Sequence, residues 1–269
     1  MIFVVGATGK VGRHVVAGLL ERGSGVRVLV RDPSQAELPP DVDVVRGDLT
    51  DPHGLAEHLA DVEAVFLVWP FFAADGADEV VGILARSARR IVYLSAEAAA
   101  RRPDSFWARV EHAVERSASE WTFLRPTGFA ANTLMWADQI RASGVVRWPY
   151  GEAARSLIHE RDIADAAVLA LTEQGHTGAR HVLTGPRTLT QAEQAHAIGE
   201  ALGRPVRWEE LSREDAEREL AGEVPDTALD TWAGFVETPE IVTSTVQDVT
   251  GRPARPFQEW ARDHADDFR

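Results

Sequence analysis

Three glycines near the start of the chain, Gly6, Gly9 and Gly12, are spaced three residues apart. An apolar run at residues 2–5 precedes them, and apolar residues at helical spacing follow them. A glycine turn between a buried strand and a helix is the context of a dinucleotide-binding fingerprint, although the spacing here is GxxGxxG rather than GxGxxG. Gly6 would allow the tight turn, Gly9 the approach of a pyrophosphate to the backbone, and Gly12 close packing of helix on strand. The turn therefore predicts a dinucleotide at the start of the first helix.

Two residues of opposite charge end the next apolar segment, VRVLVRD at residues 26–32. Arg31 could clamp a 2′-phosphate through two parallel hydrogen bonds, which would favour NADP(H). Asp32 could instead accept hydrogen bonds from the ribose hydroxyls, as an acid does at this position of NAD-binding folds. We expect NADP(H) held by Arg31, with Asp32 as the ribose ligand left as the alternative.

Further apolar segments alternate with helical ones through the first half of the chain. Strands are predicted at residues 2–5, 26–32, 42–46, 64–68, 91–95 and 121–124, and a helix is predicted around His53–Leu59. This alternation predicts an α/β fold, a doubly wound Rossmann sheet of parallel strands. Ligands bind such sheets at the carboxyl ends of the strands, where Asp48, Trp69 and Ser95 would lie. Asp48 could equally serve the turn before the helix.

The glycine turn and these strand ends make up the predicted cofactor site. Its residues are Gly6, Thr8, Gly9, Lys10, Val11, Gly12, Arg31, Asp48, Leu49, Val68, Trp69 and Ser95. Four groups could deliver a proton near a bound nicotinamide, namely Tyr150, Ser95, His112 and His159. The alternatives are that Tyr150 is a surface aromatic residue, that His112, next to Glu111, is solvated, and that His159 is a strand residue beside the cap of the next helix. The sequence has no HExxH motif, so no metal is expected.

A catalytic device common in reductases of this design is absent from the sequence. The device is a Tyr and a Lys four residues apart, in which the Lys lowers the pKa of the Tyr. The only Lys is Lys10, in the glycine turn, and the residues four positions after Tyr93 and Tyr150 are Glu97 and Ala154. A quinone or another conjugated acceptor can take a hydride without a strong acid beside it, whereas a simple ketone is harder to reduce. The sequence therefore favours a conjugated acceptor.

Aromatic residues recur after the predicted strands and in the second half of the chain. Because ligand pockets are mostly apolar walls with a few polar groups, they predict a pocket for a flat, hydrophobic substrate. The residues assigned to this pocket are Phe72, Trp107, Phe129, Asn132, Trp136 and Trp148. The alternative is that at least half of the aromatic residues simply pack in the core.

Composition argues against several classes of protein. Since none of the 269 residues is Cys, the chain can have neither disulfides nor thiolate chemistry. A net charge of −14 argues against nucleic acid as a partner. No segment approaches the roughly 20 apolar residues of a membrane span. We expect a cytoplasmic protein, monomeric or homodimeric, that binds a small hydrophobic molecule.

Several segments together resemble the NmrA-like branch of the atypical short-chain dehydrogenases/reductases, and most of all its bacterial quinone-reductase-like and triphenylmethane-reductase-like members. They are VVGATGKVGRHVV, VLVRDPS, GDLTD, IVYLSA, VEHAVERSASEWTFLRPTGFAAN, LIHERDIADAAVLAL, VLTGP and VTGRPARPFQEWARDHADDFR. The resemblance implies a Rossmann domain over residues 1–130 and NADPH held by the glycine turn and Arg31. It implies that residues 131–269 form mainly a small mixed substrate lobe, with some segments returning to the Rossmann core. If Glu111 is the glutamate that usually follows the family's Tyr and Lys, those two positions fall on Pro103 and Trp107.

Members of this family differ in function, so the resemblance leaves alternatives open. The first is an NADPH-dependent reductase that transfers hydride from the nicotinamide C4 directly to a small hydrophobic conjugated acceptor, such as a quinone, an enone or an aromatic natural-product intermediate. The second is a non-catalytic NADP(H) sensor that acts through protein partners, which the absent Tyr and Lys favour. A third is a redox-neutral enzyme such as an isomerase. The aromatic residues favour the reductase.

Overall fold

A computed structural model of the protein describes residues 1–222, 224 and 226–269. Its strands in chain order are β1 (Ile2–Val5), β2 (Val26–Val30), β3 (Asp43–Arg46), β4 (Ala64–Val68), β5 (Arg90–Leu94), β6 (Glu120–Pro126), β7 (Val145–Pro149), β8 (Ala154–Arg155), β9 (Ala179–Leu183), β10 (Leu189–Thr190) and β11 (Arg207–Leu211). Its α-helices are α1 (Gly12–Glu21), α2 (Ala77–Ser87), α3 (Ala98–Arg101), α4 (Phe106–Ser117), α5 (Ala137–Ser143), α6 (Glu160–Thr172), α7 (Gln191–Leu202), α8 (Arg213–Glu219), α9 (Asp226–Glu237), α10 (Thr245–Thr250) and α11 (Phe257–Asp263). Short 3₁₀ helices lie at Pro33–Gln35, Pro52–His58, Ala130–Trp136 and Ala265–Phe268.

The chain divides into two compact units, each assembled from separate segments. The first unit comprises Met1–Pro126, Glu160–Leu183 and Thr245–Arg252. The second comprises Thr127–His159, Thr184–Ser244 and Pro253–Arg269. Helices α6 and α10 and strand β9 therefore belong to the first unit, although they come late in the sequence.

The first unit is built on a seven-stranded sheet in the order β3-β2-β1-β4-β5-β6-β9. Every neighbouring pair in it is parallel. Parallel strands require crossover connections, and in this sheet helices supply most of them. The predicted α/β fold with a doubly wound parallel sheet is confirmed. The strand order reverses between β1 and β4, which is where such sheets bind their ligands.

Both faces of this sheet are covered, which explains the uninterrupted apolar strands. All four residues of β1 are buried, and so are the first four of β4. On one face α1 lies against α6, close enough that a Cβ added at Gly18 would be 3.0 Å from the Cγ2 of Val168. The buried stripe of α1 includes Val15, Val16 and Leu19, so its helical spacing is the spacing of its contact with the sheet.

Several predicted elements differ from the structure, one of them in type and others in where they begin or end. The segment predicted as a helix around His53–Leu59 is the 3₁₀ helix Pro52–His58, in which only Leu55 is buried. A single buried anchor gives an α-helix little packing energy, and Gly54 lowers its propensity further. The strand predicted to reach Asp32 ends at Val30 instead, because Asp32 caps the following 3₁₀ helix.

The second unit pairs β7 with β11 in parallel and β8 with β10 in antiparallel fashion. Its core contains several large aromatic side chains, among them Trp136, Trp148, Trp260 and Phe268, none more than 2% exposed. Helix α7 begins with a capping box, in which the Thr190 side chain and the Glu193 side chain bond each other's backbone N–H groups. It ends at Gly203, whose φ of +67° is the left-handed conformation expected of a helix-ending glycine.

Two kinds of feature are absent from the residues that the structure describes. No helix there combines the length and the apolar character that crossing a bilayer would require. No group of three or more His, Asp or Glu side chains there is arranged to hold a metal ion.

Candidate functional site

A cleft of about 680 Å³ opens in the first unit at the carboxyl ends of β1, β2, β3 and β4. Its lining residues are Val5, Gly6, Thr8, Leu29, Val30, Arg31, Asp32, Gln35, Ala36, Gly47, Asp48, Leu49, Thr50, Val68, Pro70 and Phe71. The cleft includes the point between β1 and β4 where the strand order reverses. Its volume is in the range of small-molecule and cofactor sites. Six residues of the predicted cofactor site line it, namely Gly6, Thr8, Arg31, Asp48, Leu49 and Val68.

Two glycines of the turn at one end of the cleft, Gly6 and Gly12, have no room for a side chain. Gly6 has a φ of +84°, and a Cβ there would lie 2.9 Å from the Cβ of Val68. A Cβ at Gly12 would lie 2.0 Å from the carbonyl oxygen of Gly6, so helix and turn are in direct backbone contact. A Cβ at Gly9 would lie 3.2 Å from that same oxygen, and Gly9 is exposed. Gly12 therefore lets helix α1 pack directly on the turn, whereas the missing side chain at Gly9 leaves the outer surface of the turn accessible to a ligand.

Helix α1 starts at this turn without a side-chain cap, since Val11 at the N-cap makes no such hydrogen bond. The first N–H groups of a helix have no partners within the helix and carry its positive dipole end. Phosphates bind at such positions, particularly where glycines let them approach the backbone. The bare turn and the uncapped helix therefore fit the pyrophosphate of a dinucleotide.

Arg31 and Asp32 both line the cleft but are held differently. The Asp32 Oδ1 accepts hydrogen bonds from the backbone N–H of Ser34 at 3.0 Å and from its hydroxyl at 2.7 Å. These bonds hold the pKa of Asp32 below its ordinary value, so the carboxylate is charged and engaged in its own turn. Arg31 is exposed at the cleft, where its guanidinium can reach an anion. The geometry is compatible with the predicted phosphate clamp.

For Asp48 the sequence left two roles open, a place at the ligand-binding strand ends and a part in the turn before the next helix. The structure is consistent with both. Its Oδ1 accepts from the backbone N–H and the hydroxyl of Thr50, each at 2.9 Å. The backbone bond is the main reason that the pKa of Asp48 is lowered. The turn role is therefore present, and the same residue also lines the cleft beside Leu49.

At the end of β4, the loop from Trp69 to Ala73 forms the apolar wall of the cleft through Pro70 and Phe71. Trp69 itself is buried, and its indole N–H donates to the carbonyl oxygen of Ala73 at 2.7 Å. Its ring meets that of Phe71 edge to face, with centroids 5.2 Å apart. Trp69, one of the predicted cofactor ligands, thus holds this loop in place and does not itself line the cleft.

A buried polar cluster that sequence reasoning missed lies at the ends of β5 and β6. The Oε1 of Glu111 in α4 accepts from the Ser95 hydroxyl at 2.6 Å and from Arg125 Nε at 2.9 Å. The Oε2 of Glu111 accepts from Arg125 Nη2 at 2.5 Å. Glu111 is charged but only 3% exposed, because it lies on the face of α4 that also buries Ala108 and Val114. An acid on the buried face of one helix and an Arg at the end of an apolar strand were the available signals.

The cluster affects which groups can act as acids. Ser95 gives its single hydroxyl proton to Glu111, so in this arrangement it can accept a hydrogen bond from a ligand but does not fit the predicted role of proton donor. Tyr93 is fully buried, and burial followed by the charge of Glu111 raises its pKa far above the usual range. Neither hydroxyl is therefore suited to protonate a substrate.

Of the other predicted proton donors, His159 is 2% exposed, with its Nε2 3.4 Å from a carboxylate oxygen of Asp263, whereas His112 and Tyr150 are more accessible. His112 is exposed, with its Nδ1 3.3 Å from a carboxylate oxygen of Glu115, whereas the adjacent Glu111 points inward. Tyr150 belongs to the second unit and has a φ of +60°, which is rare for a residue with a side chain. Both carboxylate oxygens of Glu210 hold this turn, accepting from the N–H groups of Tyr150 and Gly151. The catalytic roles of His112 and Tyr150 remain predictions.

The predicted substrate residues fall into two groups. Trp136 and Trp148 are 1% and 2% exposed in the core of the second unit, with ring centroids 6.4 Å apart, so their role there is packing. This corrects their assignment as a pocket wall, and the signal that misled was their aromatic character alone. Phe129 is half-buried and Asn132 exposed in the second unit, while Phe72 is exposed and Trp107 half-buried in the first.

The chain is similar to known proteins over its whole length. The model of a family described as NAD(P)H-binding matches residues 6–174. A (4-alkanoyl-5-oxo-2,5-dihydrofuran-3-yl)methyl phosphate reductase of Streptomyces griseus subsp. griseus is 40% identical over 282 aligned residues, which cover 100% of this chain and 99% of the relative. An NAD(P)H azoreductase of Xenophilus azovorans is 36% identical over 283, with the same coverage of 100% and 99%.

Solved structures share the fold at lower identity. An NADPH-dependent quinone oxidoreductase of Escherichia coli, complexed with NADPH, superposes with a TM-score of 0.81 at 24% identity, over 98% of this chain and 99% of that one. A triphenylmethane reductase of Citrobacter sp. gives a TM-score of 0.81 at 22% identity, over 98% of each chain. These structures show that the fold is shared, and the family model shows NAD(P)H binding, in agreement with the predicted nicotinamide cofactor. The two sequence relatives are both named as reductases.

Proposed function

Since the chain belongs to the NAD(P)H-binding family, as its NmrA-like segments predicted, we propose that it is an NADPH-dependent reductase of a small, hydrophobic, conjugated acceptor. The S. griseus relative is named for a substrate with an unsaturated oxo-substituted ring, and the X. azovorans relative for azo compounds. In both cases the acceptor is polarised or conjugated. Such acceptors match a site in which the Tyr and Lys of ordinary carbonyl reductases are absent.

The observation that carries the proposal is the cleft at the strand ends. The bare glycine turn and the uncapped start of α1 would hold the pyrophosphate, and Arg31 the 2′-phosphate. Pro70 and Phe71 form an apolar wall at the same cleft. When bound, NADPH supplies the hydride, and the chain's task is to orient the reactants and limit access of water.

The proton that follows the hydride needs no buried acid in this proposal. Reduction of a quinone or an enone leaves a delocalised oxyanion, which is a weak base, so solvent can protonate it. This agrees with the commitment of the Ser95 proton to Glu111 and with the raised pKa of Tyr93. A simple ketone would leave a strongly basic alkoxide and should be a poor substrate.

The test is NADPH oxidation, followed by nicotinamide absorbance, with a panel of quinones, enones, azo dyes and simple ketones. We expect saturable oxidation with conjugated acceptors and little with ketones. The control is Gly9→Val, which places a branched side chain on the outer surface of the turn and should block the pyrophosphate. Tight NADPH binding without oxidation across the panel would contradict the proposal and favour the sensor alternative.

Cofactor preference is tested with Arg31→Ala. Loss of one phosphate clamp should weaken NADPH binding by about 1.5–3 kcal/mol, or roughly 10- to 150-fold, and leave NADH binding nearly unchanged. Asp32→Asn is the matched variant. If Asp32 accepts a hydrogen bond from the 2′-hydroxyl of the ribose, this change should weaken NADH binding and not NADPH binding, because the 2′ oxygen of NADPH carries the phosphate. Equal losses of NADH and NADPH affinity in Arg31→Ala would contradict the 2′-phosphate role.

A further inference from the structure

An aromatic side chain stands in solvent beside the cofactor cleft. Phe72, in the loop that follows β4, is 95% exposed. Its ring meets that of Phe106 edge to face, with centroids 6.2 Å apart, and Phe106 lies against Trp107 at 4.2 Å. Phe106 and Trp107 are only partly buried. We call these three residues the aromatic platform.

The exposure of Phe72 is imposed by its loop. The Trp69 indole is buried and bonded to the carbonyl oxygen of Ala73, so both ends of the loop are tied down. Ala74, just beyond, is buried as well. Phe72 lies between these anchors with its side chain outward. A single exposed apolar residue is ordinary. An exposed ring that contacts further aromatic rings forms a contiguous apolar patch, which is typical of binding surfaces.

The other two platform residues are held equally firmly. They are the first residues of α4, which begins at Ser105, whose hydroxyl accepts a hydrogen bond from the backbone N–H of Ala108. One turn later, Glu111 joins the same helix to the sheet through Ser95 and Arg125. A surface presented by two anchored elements loses little conformational freedom when a ligand binds.

Pro70 and Phe71, which directly precede Phe72 in the chain, line the cleft, so the loop that carries Phe72 also forms part of the cleft wall. We propose that the platform stacks against the planar, conjugated part of the acceptor and that Phe72 determines the size of acceptor preferred. This rests on the proposed reductase function. Aromatic faces and edges favour flat π systems over aliphatic groups of equal size, so the substrate class is a fused-ring or extended conjugated acceptor.

The experiment compares 1,4-naphthoquinone with 1,4-benzoquinone as acceptors for the wild type and Phe72→Ala. The ratio of kcat/KM for naphthoquinone to that for benzoquinone should fall about 5- to 10-fold, the range of one lost aromatic contact. Because Phe72 is exposed, the substitution should not affect folding. Val44→Ala, a change at an exposed apolar residue of β3 in the same unit, is the control and should leave the ratio unchanged.

A second readout separates this proposal from the reductase function itself. Equilibrium dialysis of 1,4-naphthoquinone against the protein loaded with NADP⁺ should show binding about 5- to 10-fold weaker for Phe72→Ala than for the wild type. That loss would support the platform even if no acceptor were reduced. An unchanged ratio and unchanged binding would overturn it. Conversion of a wild-type dimer to a monomer by Phe72→Ala, with acceptor preference unchanged, would also overturn it, because a second copy would then cover Phe72.

Discussion

Replacing Glu111 by Gln should lower the free energy of unfolding by about 2–4 kcal/mol. In the wild type both carboxylate oxygens of Glu111 accept hydrogen bonds, from Ser95 and from two nitrogens of Arg125. The amide of Gln would turn an N–H group toward one of these donors and leave the guanidinium without a countercharge. Removing one partner of a fully buried ion pair costs about 3–5 kcal/mol. The Arg125 side chain is 13% exposed, so water relieves part of this cost.

The measurement is thermal and urea-induced unfolding followed by circular dichroism. A loss of about 2–4 kcal/mol corresponds to a fall in Tm of roughly 4–16 °C for a chain of this size. Glu217→Gln in α8 is the control, because Glu217 pairs with Arg213 at the surface, where ion pairs contribute about 0–1 kcal/mol.

A double-mutant cycle tests the cause of the loss. In Glu111→Gln/Arg125→Met no charge remains buried, so the double variant should be more stable than the sum of the single losses predicts. Additive losses, or a Glu111→Gln variant within about 0.5 kcal/mol of the wild type, would refute the reasoning.

Two further outcomes are expected. Gly12→Ala should lower the free energy of unfolding of the cofactor-free protein by about 1–3 kcal/mol, because the new Cβ would lie 2.0 Å from the Gly6 carbonyl oxygen. Gly9→Ala should cost less. Thermal unfolding measures both, and equal losses would contradict this distinction. The Nδ1 of His176 lies 3.3 Å from the Nε2 of His181, and burial lowers the pKa of both rings below the ordinary value of 6.5. The unfolded chain therefore binds more protons than the folded one as the pH drops below 6.5, so the free energy of unfolding should fall there. Replacing both by Gln should flatten urea-unfolding stability over this range, and an unchanged slope would exclude the pair as its cause.

Local patterns were sufficient for six of the seven strands of the first unit's sheet and for the start of its site, whereas β9, which comes late in the chain, was not predicted as a strand. The run at residues 2–5, the three glycines and the stripe of α1 act within some twenty residues, so each constrains the next directly. The predicted helix around His53–Leu59 was wrong in type, because its apolar spacing is supported by one buried residue, Leu55. Periodicity predicts an α-helix only where the tertiary structure supplies a surface to pack on.

Side-chain function was harder to predict than position. The tryptophans at 136 and 148 look the same in sequence as aromatic residues of a pocket wall, yet the structure packs them in a core. Phe72, by contrast, stays in solvent because its loop is tied by Trp69. Whether an aromatic residue packs in a core or lines a pocket depends on contacts between residues distant in the chain.

The sequence by itself predicted the fold class, the glycine turn and the nicotinamide cofactor. Strand, turn and helix are neighbours in the chain, and the groups expected to bind the phosphates are backbone N–H groups, which every residue except proline supplies. It also established that Lys10 is the only Lys, and so that the usual Tyr and Lys pair is absent. Only the tertiary structure decided that Glu111, Ser95 and Arg125 form one buried cluster and that Trp136 and Trp148 pack in a core. Those arrangements depend on which side chains the packed sheet and helices bring within hydrogen-bonding distance, and folding alone settles that.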